Sequence, residues 1–253
     1  MNRGKTAYLL CAVLLLCLAP SAHALDYNEA IETHVTVNHG SQAENIIALT
    51  FDDGPRSSTP ELISTLDSLG IRATFFICGA YADSWVDEFD ALCDSGQEIG
   101  NHTWSHPVLT RLCENSMIEQ LESTSDLIES CSGYRPQLFR PPYGAYNEYV
   151  IGAAARLEMA TIMWDIDPRD YNDPSPGTIA NYIISRASPG SIILLHEGHP
   201  NTMAALPIIV NTLREQGYTF VTVGEMLGLY QGIARKERND MLYPIKPEER
   251  GLF

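Results

Sequence analysis

A chain of 253 residues with 32 acidic against 16 basic side chains carries a formal charge of −16. That surface disfavours nucleic acid and anionic membranes as partners, while a neutral or cationic substrate is compatible with it. Hydrophobic residues make up 45% of the sequence, enough for a sizeable core, and the length suits one large α/β domain.

The first residues, Met1 to Lys5, are basic, and an apolar run from Ala7 to Ala19 precedes Ala22-x-Ala24, a small-residue cleavage pattern. This reads as a secretory signal peptide cut after Ala24, leaving about 229 residues that start with a leader over 25–43. Arg3 and Lys5 leave with it, so the mature chain is more acidic still. No later segment is long and apolar enough to span a bilayer.

From Ile46 onward, strand-like and helix-like segments alternate. Ile46–Phe51 is an apolar strand that runs into Asp52-Asp53-Gly54-Pro55. Thr59–Leu69 is a helix with Pro60 in its first turn and Gly70 past its end, the usual start and stop signs. Ala73–Ile77 is a strand, Ser84–Ser95 a helix closed by Gly96, and Glu98–Asn101 a short strand. Ser116–Ser130 is a helix with an apolar stripe. Gln137–Arg140 is a strand stopped by Pro141-Pro142, and Asn147–Leu157 is helical. Met159–Asp165 is a strand, Thr178–Ala187 a helix, Ser191–His196 a strongly apolar strand, Met203–Glu215 a helix and Tyr218–Val223 the last strand. A short helix over Gly224–Tyr230 and a charged tail over 231–253 complete the chain. About seven strand–helix units predict a single-domain α/β fold, a distorted, seven-stranded (β/α) barrel over 44–230. A doubly wound open sheet is the alternative, but it should carry a glycine-rich phosphate turn.

Loss of Cys11 and Cys17 with the signal leaves Cys78, Cys93, Cys113 and Cys131 without CxxC spacing. Export permits disulfides. Three pairings exist; Cys93 and Cys131, each near the end of a predicted helix, are expected to pair, with Cys78 a buried free thiol.

In such a barrel the chemistry lies at the carboxyl ends of the strands. Ionisable groups crowd five of these ends: Asp52 and Asp53; His102 and His106; Arg140; Asp165 to Asp170; His196 and Glu197. Neighbouring side chains on a strand face opposite ways, so Asp52 and Asp53 are free to take different tasks. His102 and His106, four apart, would share one face of a helical turn and, with a carboxylate, form a three-ligand metal site with room for water. A second carboxylate could take a proton and His196 could give one to a leaving group. Arg140 could orient a carboxylate base. Each piece alone also has a plain structural reading: a turn, a pair of surface histidines, a buried histidine, a salt bridge.

The ordered set Thr50-Phe51-Asp52-Asp53-Gly54, His102-Thr103-Trp104-Ser105-His106, Arg140-Pro141-Pro142-Tyr143, Asp167-x-x-Asp170 and Leu194-Leu195-His196 resembles the polysaccharide deacetylase family, the NodB-homology group of carbohydrate esterase family 4. The resemblance implies a metal-dependent amidase on N-acetylated sugars or an esterase on O-acetylated ones. With the signal peptide, the leading expectation is a secreted or periplasmic hydrolase that deacetylates GlcNAc-containing polysaccharide such as peptidoglycan or chitin, with the oligomeric state open and a monomer favoured. By that match Asp53, His102 and His106 would hold zinc or another divalent ion such as cobalt, manganese or nickel. Asp52 would be the base, His196 the acid, and Arg140 would orient Asp52 and be held by Asp170. The Tyr143 N–H would help stabilise an oxyanion, and Leu194 would line the acetyl pocket. Tyr171 stands where the family usually has Trp, and could still wall that pocket. Trp104 is either a sugar-stacking or a core aromatic. An O-acetyl esterase on xylan, an amidase on a small cyclic imide or ureide, and a carbohydrate-binding protein on a dead scaffold are the rival readings.

Overall fold

The computed structural model describes residues 26–229. The predicted signal peptide and the charged tail lie outside the described residues. Among those described, no helix is long and apolar enough to cross a membrane.

The elements in chain order are α1 (Tyr27–Thr33), β1 (Thr36–Val37), β2 (Ile46–Gly54), α2 (Thr59–Ser68), β3 (Thr74–Ile77), α3 (Gly79–Ser84), α4 (Val86–Asp94), β4 (Glu98–Asn101), α5 (Glu114–Ser132), β5 (Leu138–Phe139), α6 (Glu148–Arg156), β6 (Ala160–Ile162), α7 (Pro176–Ile184), β7 (Ile192–His196), α8 (Pro200–Glu215), β8 (Thr219–Phe220) and α9 (Val223–Met226). Seven strands pair in the order β1-β6-β5-β4-β3-β2-β7, and every pair is parallel. Isolated bridges, Ile166 to Ile193 and His39 to Ser191, link the two ends of this curled sheet. The fold is the expected distorted seven-stranded barrel.

Its membership differs from expectation in one place. The leader over 25–43 holds α1 and β1, and β1 fills the barrel position beside β6. The predicted last strand shrinks to β8, which sits off the barrel path against Ile46 and Ile47. A two-residue strand has no readable alternation, which is why the sequence hid it. The helix expected over Ser84–Ser95 is α4, and a further short helix, α3, precedes it, separated by Trp85 in a non-helical conformation.

The strands are apolar on both faces because both are covered. On β2, Ile47, Leu49 and Phe51 belong to the large cluster shared with the flanking helices, while Ala48 belongs to a second cluster with Val37, Phe76, Leu138, Ile162 and Ile192 that fills the barrel. This period of two places Thr50 and then Asp52 on the inner face with Ala48. Val223 and Leu227 join the inner cluster, and the buried Glu98 carboxylate accepts from the Gly224 N–H and the Thr74 hydroxyl at the same end. The opposite end is left for function.

Cys93 on α4 and Cys131 on α5 form the expected disulfide, with Cα atoms 6.2 Å apart, and Cys78 is a buried free thiol. Closing a span of 38 residues restricts the unfolded chain by about 4 kcal/mol in the loop-entropy limit. Cys93→Ser with Cys131→Ser should lower unfolding stability by about 2–4 kcal/mol, read by urea denaturation. Identical midpoints for the variant and the oxidised parent would contradict this.

Candidate active site

Strand ends β2, β4, β5 and β7 surround a cavity of about 470 Å³ whose walls include Asp52, Asp53, His102, His106, Leu194 and His196. Tyr143, Tyr171, Trp164 and His199 complete its rim.

Two adjacent aspartates both reach this cavity because β2 does not end as a regular strand. The ladder to β3 slips between Asp52 and Gly54, and Asp53 takes a left-handed backbone with φ 66°. A bulge of this kind re-aims a side chain. Asp52 keeps the inward direction and Asp53 is turned toward the histidines. Gly54 must be glycine, since a Cβ there would run into the Glu197 carboxyl. Burial pushes that carboxyl up to about 8; it accepts from the Thr59 hydroxyl and is neutral at pH 7.

His102 and His106 converge with ring centroids 5.0 Å apart, but not on a helix. They lie in a loop after β4 in which Thr103 and His106 have φ of 70° and 58°. Asp53 Oδ1 stands 3.0 Å from His106 Nε2 and 3.6 Å from His102 Nε2. Donor atoms of the three residues fall within 4.8 Å of one another. Asp53 Oδ1 is buried without a well-aligned hydrogen bond among the described residues. The His102 Nδ1–H donates to the Arg140 carbonyl at 2.7 Å, which turns the bare Nε2 lone pair to the cluster. Burial pulls the His102 imidazole below its ordinary value, more than Asp52 and Asp53 raise it, so it is a neutral, ligand-competent ring. Burial alone would push the Asp53 carboxyl up. His106 and the neighbouring His102 and His196 outweigh that and hold it below the usual carboxylate range. One carboxylate, two imidazoles and an outer hydrogen bond orienting one of them fit a divalent cation.

Asp52 borders this group, its Oδ2 standing 3.7 Å from His102 Nε2, but its close partner is a different one. Its Oδ1 accepts from Arg140 Nη1 at 2.8 Å. Arg140 is completely buried and spends its other donors on Thr50 Oγ1 and the carbonyls of Ile162 and Met163. Phe76 lies 4.2 Å beneath the guanidinium. Asp170 does not take part, contrary to expectation. It accepts from His196 Nδ1 at 2.8 Å, from the His196 backbone N–H at 2.9 Å and from the Thr202 hydroxyl at 2.7 Å. The loop after β6 that carries Asp170 packs against β7 rather than reaching the barrel interior, so its carboxylate meets the histidine. Burial alone would lower the His196 imidazole, but Asp170, with Asp52 and Asp53, raises it above the ordinary histidine value.

Tyr143 has φ 61° and an edge-on ring 4.6 Å from His106. Leu194 lies in the cavity wall, and Tyr171 sits edge-on to His196 at 5.2 Å. Trp104 is not in the cavity: its indole packs over Gly79 at the start of α3. Trp164, which sequence reasoning passed over, takes the wall position and packs on Gly144. His199 was missed as well; its only signal is its place three residues past His196.

Residues 39–162 match the family model described as polysaccharide deacetylase. The chain is 38% identical to the peptidoglycan-N-acetylmuramic acid deacetylase PdaC of Bacillus subtilis over 184 residues, which is 72% of this chain but 39% of PdaC. It is 37% identical to a peptidoglycan-N-acetylglucosamine deacetylase of Bacillus cereus, covering 73% of this chain and 89% of that protein. The crystal structure of the Bc1960 peptidoglycan N-acetylglucosamine deacetylase superposes with a TM-score of 0.75 at 32% identity, over 78% of this chain and 94% of that one.

The Asp170–His196 contact has a direct test in the metal-free protein. An adjacent anion favours the charged imidazole, so Asp170→Asn should lower the His196 pKa, tracked by ring-proton NMR. An unchanged titration would show that Asp170 does not set it.

Proposed function

The chain belongs to the polysaccharide deacetylase family, and we propose that it is a metal-dependent hydrolase that removes N-acetyl groups from GlcNAc-containing polysaccharide, peptidoglycan or chitin-like, and releases acetate. The observation that carries this reading is the separation of two neighbouring carboxylates: Asp53 faces His102 and His106, while Asp52 is locked on Arg140.

Asp53, His102 and His106 would hold the ion, zinc or another divalent metal. Such an ion, when bound, acts as a Lewis acid on an acyl oxygen and makes a water easier to deprotonate. The remaining steps belong to the chain. Asp52, fixed by Arg140, takes the proton from the attacking water as the new C–O bond forms. The Tyr143 backbone N–H, at the cavity rim, donates to the developing oxyanion. His196 has its Nδ1 committed to Asp170, so Nε2 faces the cavity and carries the proton for the leaving nitrogen. The C–N bond breaks, the sugar leaves as an amine, and acetate remains. Leu194 and Tyr171 wall the acetyl methyl.

An amine leaves only when protonated, and the raised His196 supplies that proton near neutral pH. This favours N-deacetylation over ester cleavage. The intact set of acid, base and ligands speaks against a binding protein on a dead scaffold. Export from the cytoplasm is supported by the Met1 to Ala24 pattern and by the Cys93–Cys131 disulfide.

The test is acetate release from chitin oligomers, peptidoglycan and acetylated xylan, after chelation and after zinc is restored. Release from an N-acetylated polymer, lost by at least a hundredfold on chelation and recovered with zinc, is expected. Release from xylan alone would make the protein an esterase, and none from any polymer would overturn the reading.

A further inference from the structure

Eight large apolar side chains are exposed among the described residues, and four of them, Tyr143, Tyr146, Tyr149 and Tyr171, come from two segments of which Tyr143 and Tyr171 themselves line the cavity. Three of these stand at intervals of three residues in one run, Tyr143-Gly144-Ala145-Tyr146-Asn147-Glu148-Tyr149, with exposures of 68%, 44% and 73%. Single exposed tyrosines need no explanation. A run of three that starts inside the cavity wall is a different observation.

The backbone that carries them is fixed. Pro141 and Pro142 enter a one-turn 3-10 segment, and the Gly144 N–H donates to the Pro141 carbonyl at 3.1 Å. Gly144, with φ 62°, presses this turn onto Trp164, leaving no room for a Cβ. Asn147 Oδ1 accepts from the Val150 N–H at 3.0 Å and caps α6, so Tyr149 occupies the second position of a formed helix. The rings themselves are unspent. Among the described residues Tyr146 and Tyr149 make no ring contact or side-chain hydrogen bond, whereas exposed Tyr182 is covered by Arg186 at 3.8 Å. Tyrosine offers a flat apolar body with a polar tip and only two side-chain torsions, so ordering it on binding costs little. A pyranose has the matching surface, an apolar face of axial C–H groups bordered by hydroxyls. The run carries one charge, Glu148, which suits an uncharged chain.

We propose that Tyr146 and Tyr149 form a glycan-binding strip that continues the Tyr143 wall of the cavity outward and holds the sugars flanking the one being deacetylated, so that a long hexosamine chain is bound better than a short one. The strip rests on the proposed polysaccharide reading, whose cavity it extends.

The experiment compares the parent protein with Tyr146→Ala, Tyr149→Ala and the double variant on N-acetylglucosamine dimer and hexamer, reading acetate release and, separately, calorimetric binding of the hexamer. Each single substitution should raise the hexamer KM roughly five- to tenfold, the size of one lost aromatic contact. The double variant should show the product of the two, with hexamer kcat and dimer KM unmoved. A hexamer KM within twofold of the parent, or equal losses on dimer and hexamer, overturns the strip. Should the parent release no acetate, hexamer binding decides. Binding that weakens tenfold or more in the double variant upholds the strip while the deacetylase reading fails, and a parent that does not bind hexamer overturns it.

Discussion

A buried guanidinium organises this molecule's working end. Arg140 has no exposed surface and is tied to a carboxylate, a hydroxyl and two carbonyls drawn from β2 and from the end of β6. Its backbone carbonyl also accepts from His102. One residue thus fixes the Asp52 carboxylate and, through its own backbone, the imidazole beside it. A buried charge survives only when its partners are in place, and removing one partner of such a pair costs about 3–5 kcal/mol. The geometry of the mouth is therefore enforced by the same energy that keeps Arg140 tolerable inside the barrel.

Around that constraint the titratable groups fall into separate pairings. Asp52 belongs to Arg140, Asp53 to His102 and His106, and Asp170 to His196. At His102 burial wins and leaves a neutral ring, whereas at Asp53 and His196 it opposes the charged forms and their partners outweigh it. Glu197, with no such cation in contact among the described residues, goes the other way and stays protonated at pH 7, so it packs under Gly54 without adding a charge. The β2 bulge makes the first two pairings compatible, since a regular strand would have sent one aspartate to the helix layer.

Much of this was legible in the sequence. Alternation of strand and helix signals pointed to the barrel, and the residues just past each strand brought Asp52, Asp53, His102, His106, Arg140 and His196 to one rim. The hidden part depends on backbone detail or on three-dimensional choice among equals. The left-handed turns at Thr103 and His106 replace the helical turn that the four-residue spacing suggests. Asp170 could have met either Arg140 or His196, and only the path of its loop decides. Trp104 and Trp164 carry the same side chain near the same rim, yet one packs on Gly79 and the other lines the cavity. β1, two residues long, has no pattern to read.

The central claim is that two adjacent carboxylates do different work, and zinc binding to two variants tests it most directly. Calorimetry on the purified protein should find that Asp53→Asn weakens zinc binding at least tenfold. Asp52→Asn should bind zinc within a few-fold of the parent and yet release no acetate from N-acetylglucosamine oligomers. Loss of zinc in Asp52→Asn, or parent-like binding in Asp53→Asn, would contradict the account.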